Sequence, residues 1–146
     1  MSDSYWARVY NNAVINLAIS GQWYYLPFNT ERWDTDSIHS PTYPERLTAT
    51  RSGLYLITGH ARFAGNPNGY RSLQIHHSVV GTIAWQHLPA VADSITVVSV
   101  ATLYYLNAGE YVRLAAQQTS GGPLNVDVAA NYSPEFAMAY VGSLYA

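Results

Sequence analysis

Turn-forming residues break this sequence at short, fairly even intervals, and no stretch between the breaks carries a convincing helical period. The clearest breaks are Ser20-Gly21, Ser52-Gly53, Gly65-Asn66-Pro67-Asn68-Gly69, Asn107-Ala108-Gly109-Glu110 and Ser120-Gly121-Gly122-Pro123. Between them lie short runs rich in Val, Ile, Thr, Leu and Tyr, best seen at Leu54-Tyr55-Leu56-Ile57-Thr58 and over residues 94–103. Branched β-carbons and aromatic rings suit a pleated, extended backbone. Many short strands joined by tight turns lead to a sandwich or a barrel. A helix competes only over residues 126–139, where alanine is frequent, and Asn131 and Pro134 inside that stretch favour strand.

Further strands are expected at residues 13–19, 23–28, 47–50, 71–77, 82–87, 111–117, 125–130 and 136–144. Residues 29–45, rich in Thr, Ser, Asp and Pro, predict a long loop with at most a short strand. Residues 1–12 read as a flexible or partly ordered N-terminal arm, and the whole chain, 1–146, as one domain. In the run Leu54-Tyr55-Leu56-Ile57, Tyr55 and Ile57 share one face and Leu54 and Leu56 the other. Apolar residues on both faces predict a strand covered twice, by the opposing sheet and by another subunit.

Composition narrows the function classes. The chain has 7 basic residues, all arginine, against 9 acidic ones, for a net charge of −2. No basic field for nucleic acid and no polybasic membrane tether follows from that balance. No apolar run approaches the roughly 18 residues of a membrane helix, and residues 1–12 lack the pattern of a secretory signal. Cysteine is absent, which removes disulfides, thiol catalysis and cysteine-ligated zinc. Charged residues make up 11% of the chain, well under the usual 25% or so. A monomer of this mass exposes about 7,400 Å², so its charges are thinly spread. Burial of part of that surface against another subunit is the expected remedy.

Several segments, in order, resemble the globular head of the complement C1q and tumour necrosis factor superfamily. Phe28 is followed six positions later by Asp34, and Leu47 precedes the strand Gly53-Leu54-Tyr55-Leu56-Ile57. Leu106-Asn107-Ala108-Gly109-Glu110-Tyr111-Val112 is similar to the family's Leu-x-x-Gly-Asp-x-Val turn and strand, and Phe136-Ala137-Met138-Ala139-Tyr140-Val141-Gly142 to its terminal aromatic strand. His39 stands where the family has an aromatic residue or leucine, and Ile57 where it usually has Phe. Asn29-Thr30, Trp33-Asp34-Thr35-Asp36 and Gly69-Tyr70-Arg71-Ser72-Leu73 resemble bacterial and phage-encoded members in particular. The resemblance implies an all-β, two-sheet jelly-roll sandwich of about ten strands, a homotrimer, and a binding or structural role without catalysis. No collagen-like Gly-X-Y repeat is present.

The chemistry-bearing residues fit that expectation. His76 and His77 adjoin in a strand and so point to opposite faces, which prevents them from sharing a metal; no metal centre is expected. Glu31, Asp34 and Asp36 form a candidate calcium or ligand loop, against a solvated loop pinned by Arg32 or Arg46 as the plainer reading. No Gly-x-Ser-x-Gly elbow, phosphate loop or cupin histidine pattern occurs, so no enzyme is expected. The 13 tyrosines and 4 tryptophans suit a core and an oligomer interface, with a sugar platform as the alternative. Tyr55, Tyr104, Tyr111, Phe136 and Tyr140 are the candidates for trimer interface or core. The expected setting is a virion or cell surface, as a spike, fibre tip or decoration. The partners are then the chain itself, other virion proteins, and a cell-surface receptor or glycan in a lectin-like alternative, with no nucleic acid and no membrane insertion.

Overall fold

The computed structural model describes residues 4–144. Twelve strands make up its regular structure: β1 Trp6–Tyr10, β2 Ile15–Leu17, β3 Tyr24–Tyr25, β4 Thr30–Asp34, β5 Arg46–Thr48, β6 Gly53–Phe63, β7 Tyr70–His77, β8 Gly81–Pro89, β9 Thr96–Leu106, β10 Tyr111–Gln118, β11 Leu124–Asp127 and β12 Glu135–Gly142. All pair antiparallel in two sheets. The seven-stranded sheet runs β2-β11-β6-β12-β1-β4, with β9 along the other edge of β6. The five-stranded sheet runs β3-β10-β7-β8, and β5 shares the β3 edge of β10. The architecture is an all-β jelly-roll sandwich.

One expectation from sequence needs correction, and the short strand allowed after residue 29 is present. Residues 6–10 are not an arm: they form β1, hydrogen-bonded to β12 on one side and β4 on the other. The reason is alternation, since Ala7 and Val9 are buried while Trp6, Arg8 and Tyr10 face outward. The first three residues of that expected arm lie outside the described residues. The polar stretch from residue 29 opens with a five-residue strand, β4. It reads as loop because an edge strand with little buried surface needs no apolar alternation. These additions raise the strand number from about ten to twelve.

Between the sheets, Tyr55, Ile57, Phe63, Val98, Phe136 and Met138 face Leu47, Leu73, Ile75, Val112 and Leu114. Phe28 and Phe136 stack with ring centroids 5.8 Å apart. The layers come close at Gly59, where a β-carbon would stand 2.5 Å from Leu114 Cδ1. A larger residue there would force the Leu114 side chain to shift. The alternation of β6 is as expected on the core side. Its second face is different: Leu56 remains 46% exposed, so the described residues of a single chain do not supply the second cover.

Candidate functional site

The outer face of the seven-stranded sheet is organised in rows set by the strand register. Trp6, Ala139, Leu56 and Leu103 lie side by side across β1, β12, β6 and β9. The next row is Arg8, Ala137, Thr58 and Ala101, with Trp33 of β4 opposite Arg8. Bulky residues at the sides and alanines between them produce a trough of about 400 Å³, lined by Trp6, Trp33, Leu56, Thr58, Ala137 and Ala139 among others. Trp6, Trp33 and Leu103 are 45%, 49% and 55% exposed. A third row, Tyr10, Glu135, His60 and Ser99, closes one end with polar groups.

Glu135 organises that end. It is buried, and its Oε1 accepts hydrogen bonds from Arg8 Nε at 2.5 Å and Arg32 Nε at 2.9 Å, while Oε2 accepts from Arg32 at 2.7 Å. Burial by itself would raise its pKa, but the hydrogen bonds and charges of Arg32 and Arg8 outweigh that and hold it below the usual value. The same hydrogen bonds raise Arg32. His60, bonded through Nδ1 to Ser99 at 2.9 Å, is lowered by burial and then by the charge of Arg8. Glu135 thus offsets one of the two guanidinium charges from beneath, which leaves a single excess positive charge at this end of an otherwise apolar trough.

The aromatic candidates separate. Tyr55 and Phe136 are wholly within the core, so they lie on no outer face. Tyr140 packs edge-on against Tyr5 and Tyr55 at 5.7 and 5.4 Å, and Tyr104 lies 5.6 Å from the His77 ring. Tyr111 carries the Arg46 guanidinium 4.0 Å from its ring centre. All three are half-buried, and none belongs to the apolar rows.

The candidate calcium loop is not assembled as a ligand cluster. Asp34 accepts backbone N–H groups from Ile38 and His39, both at 2.9 Å, and more weakly from Asp36. Asp36 accepts from the Thr50 hydroxyl, and Glu31 Oε2 lies 2.9 Å from His39 Nδ1. The acids therefore shape the loop by three separate sets of contacts. Among the described residues, no group of three or more His, Asp or Glu is placed to hold a metal ion. Of the two arginines considered as pins, Arg32 goes to Glu135, whereas Arg46 does hold the loop, lying over Tyr43 and 3.6 Å from Glu45 as well as over Tyr111, though it touches none of the three acids.

Sequence reasoning missed Trp6, Trp33 and Leu103, and the Arg8–Glu135–Arg32 cluster, whose members are over 100 residues apart. The one available signal was the outward parity of Leu54 and Leu56.

No family model matches the chain. A curated relative, an uncharacterised protein of Acanthamoeba polyphaga mimivirus, is 31% identical over 84 residues, which is 54% of this chain. The match spans 36% of that protein, so this chain accounts for only about a third of its relative's length. Among solved structures, murine APRIL at pH 5.0 superposes with a TM-score of 0.69 at 8% identity, covering 95% of this chain and all of that one. The Eiger TNF of S. frugiperda gives the same TM-score at 11% identity, covering 98% and 96%. The fold is the C1q/TNF-like jelly roll.

Proposed function

We propose that the protein is a non-enzymatic homotrimeric module of a virion or cell surface, serving in structure or binding. The observation that carries this reading is the exposed apolar trough on the outer face of the larger sheet. Trp6, Trp33, Leu56 and Leu103, each about half exposed, place four large apolar side chains on one face, and such patches mark interaction surfaces. Its occupant is a further copy of this chain: apart from Arg8, which is paired with Glu135, the lining is free of ionised side chains, so like surfaces meet there with little repulsion. The proposed contact uses these four residues rather than Tyr55 and Phe136, which the core already occupies. Three-fold symmetry rests on the family resemblance. The likeness to a mimivirus protein favours a virion setting, where other virion proteins, a receptor or a glycan are the outside partners.

Binding rather than turnover is favoured because Asp34, Asp36, Glu31 and Glu135 are all engaged in holding the backbone or other side chains. The test is light scattering at micromolar concentration. The wild type is expected at three times 16.1 kDa, and Leu56→Asp/Leu103→Asp at the mass of one chain, because charges buried in copies of one interface oppose assembly. A stable wild-type species at one or two chain masses would refute the trimer.

A further inference from the structure

The outer face of the five-stranded sheet has a second concavity of different chemistry. In register across the sheet stand Tyr25 of β3, Ala115 of β10, Gln74 of β7 and Trp85 of β8. Only a methyl group rises at Ala115, so the surface drops there. The result is a cleft of about 320 Å³ lined by Trp23, Tyr25, Gln74, His76 and Ala115, within the size range of small-molecule sites. Trp23 meets Trp85 edge-on at 6.2 Å, and Tyr25 lies 5.6 Å from the His76 ring. Trp85 is 57% exposed, which is costly for an indole with nothing to cover it.

The polar groups are neutral and held in place. Thr82 Oγ1 donates to Gln74 Oε1 at 3.0 Å, which fixes the amide and leaves its N–H₂ directed elsewhere. His76 Nδ1 is engaged by the Tyr25 hydroxyl at 3.1 Å, leaving Nε2. Burial, and then the charge of Arg113, lower the His76 pKa, so the ring is neutral at pH 7. Arg113 itself is spent on Tyr25, 3.7 Å from the ring centre. No carboxylate lines the cleft.

Flat aromatic faces, fixed neutral donors and acceptors, and a single cation already stacked on Tyr25 select a ligand with an apolar C–H face and a rim of hydroxyls. We propose that this cleft binds one neutral pyranose unit of a glycan, stacked on Trp23, which Trp85 braces edge-on, and hydrogen-bonded by Gln74 and His76. A phosphate-bearing nucleotide would meet only the Arg113 guanidinium, which lies over Tyr25. The cleft lies on the opposite sheet from the apolar trough, so the proposal stands independently of the trimer.

The test titrates the full chain with the neutral methyl glycosides of glucose, galactose, mannose and N-acetylglucosamine and their short oligomers, read by tryptophan fluorescence and calorimetry. At least one should bind saturably. Trp85→Ala and Gln74→Ala should each weaken it about tenfold or more, with the melting temperature and assembly mass checked alongside. Val97→Ala, on the other sheet and outside the proposed contact, should leave affinity unchanged, as should EDTA and about 0.5 M salt. The proposal is overturned if no glycoside binds, if EDTA abolishes binding, if Trp85→Ala and Gln74→Ala bind as the wild type does, or if a proline-rich peptide binds and no glycoside does.

Discussion

Replacing Glu135 by glutamine tests how the end of the larger sheet is held. The side chain keeps its shape but loses the charge that Arg8 and Arg32 both address. Breaking a fully buried ion pair costs about 3–5 kcal/mol. Here the carboxylate is 1% exposed while each arginine is 28% exposed, so water can recover part of the arginine solvation. The expected loss is therefore lower, about 2–3 kcal/mol, or roughly 4–12 °C in melting temperature for a domain of this size. The pH dependence has a definite sign. Glu135 titrates below its unfolded value, so its contribution is complete above about pH 4.3 and disappears as pH falls through the folded pKa. Thermal melts of wild type and Glu135→Gln at equal protein concentration, from pH 7 to pH 3, should converge toward the acid end. The reasoning fails if the variant is within about 0.5 kcal/mol of wild type at pH 7, or if the gap stays constant down to pH 3.

Two further substitutions probe the loop at residues 65–69. Gly69 has φ +74° and a β-carbon there would stand 1.8 Å from the Thr119 carbonyl oxygen, whereas Gly121 has φ +97° and open space around it. Gly69→Ala should then cost about 2–5 kcal/mol by strain plus overlap, and Gly121→Ala about 1–2 by strain alone; equal denaturation midpoints for the two would contradict this. Arg71 is fully buried and donates to the carbonyls of Asn66, Asn68 and Tyr70 at 2.8–3.0 Å. Arg71→Met should release the loop, giving markedly faster proteolytic nicking at residues 65–69, and an unchanged nicking rate would remove the clamp from the account.

The long strands were legible because their two faces differ in kind. Residues 54–58 alternate between core and outer face, and β6 and β9 run longer than their apolar runs suggest because each continues past residues that hydrogen bonding, not hydrophobicity, keeps in line. β4 was hidden for the opposite reason: Glu31, Arg32 and Trp33 are exposed on an edge, so no buried face marks the strand. β1 was hidden by brevity, with Ala7 and Val9 as its only core residues. The apolar trough is a property of register. Trp6, Leu56, Leu103 and Ala139 become neighbours only when four strands far apart in sequence align. The roles of Asp34 and Glu135 were out of reach similarly, since a carboxylate's type says nothing of whether it will meet a cation, a calcium ion or a backbone amide. Carboxylate spacing in the loop pointed to a ligand set, and local backbone geometry used it first.

The chain's seven arginines have all been put to internal use. Arg8 and Arg32 hold Glu135, Arg62 donates to the Tyr132 hydroxyl, Arg71 is sealed inside, and Arg46, Arg51 and Arg113 lie over tyrosine rings. Stacking on a tyrosine leaves a guanidinium's charge in place, but with a net charge of only −2 the molecule's long-range field is weak. Whatever meets it is not drawn in from a distance, so encounters proceed at the unsteered rate of about 10⁵–10⁶ M⁻¹s⁻¹ and change little with salt. Discrimination among partners is thereby shifted from the rate of arrival to the time of residence, where shape and the fit of aromatic faces decide how long a visitor stays.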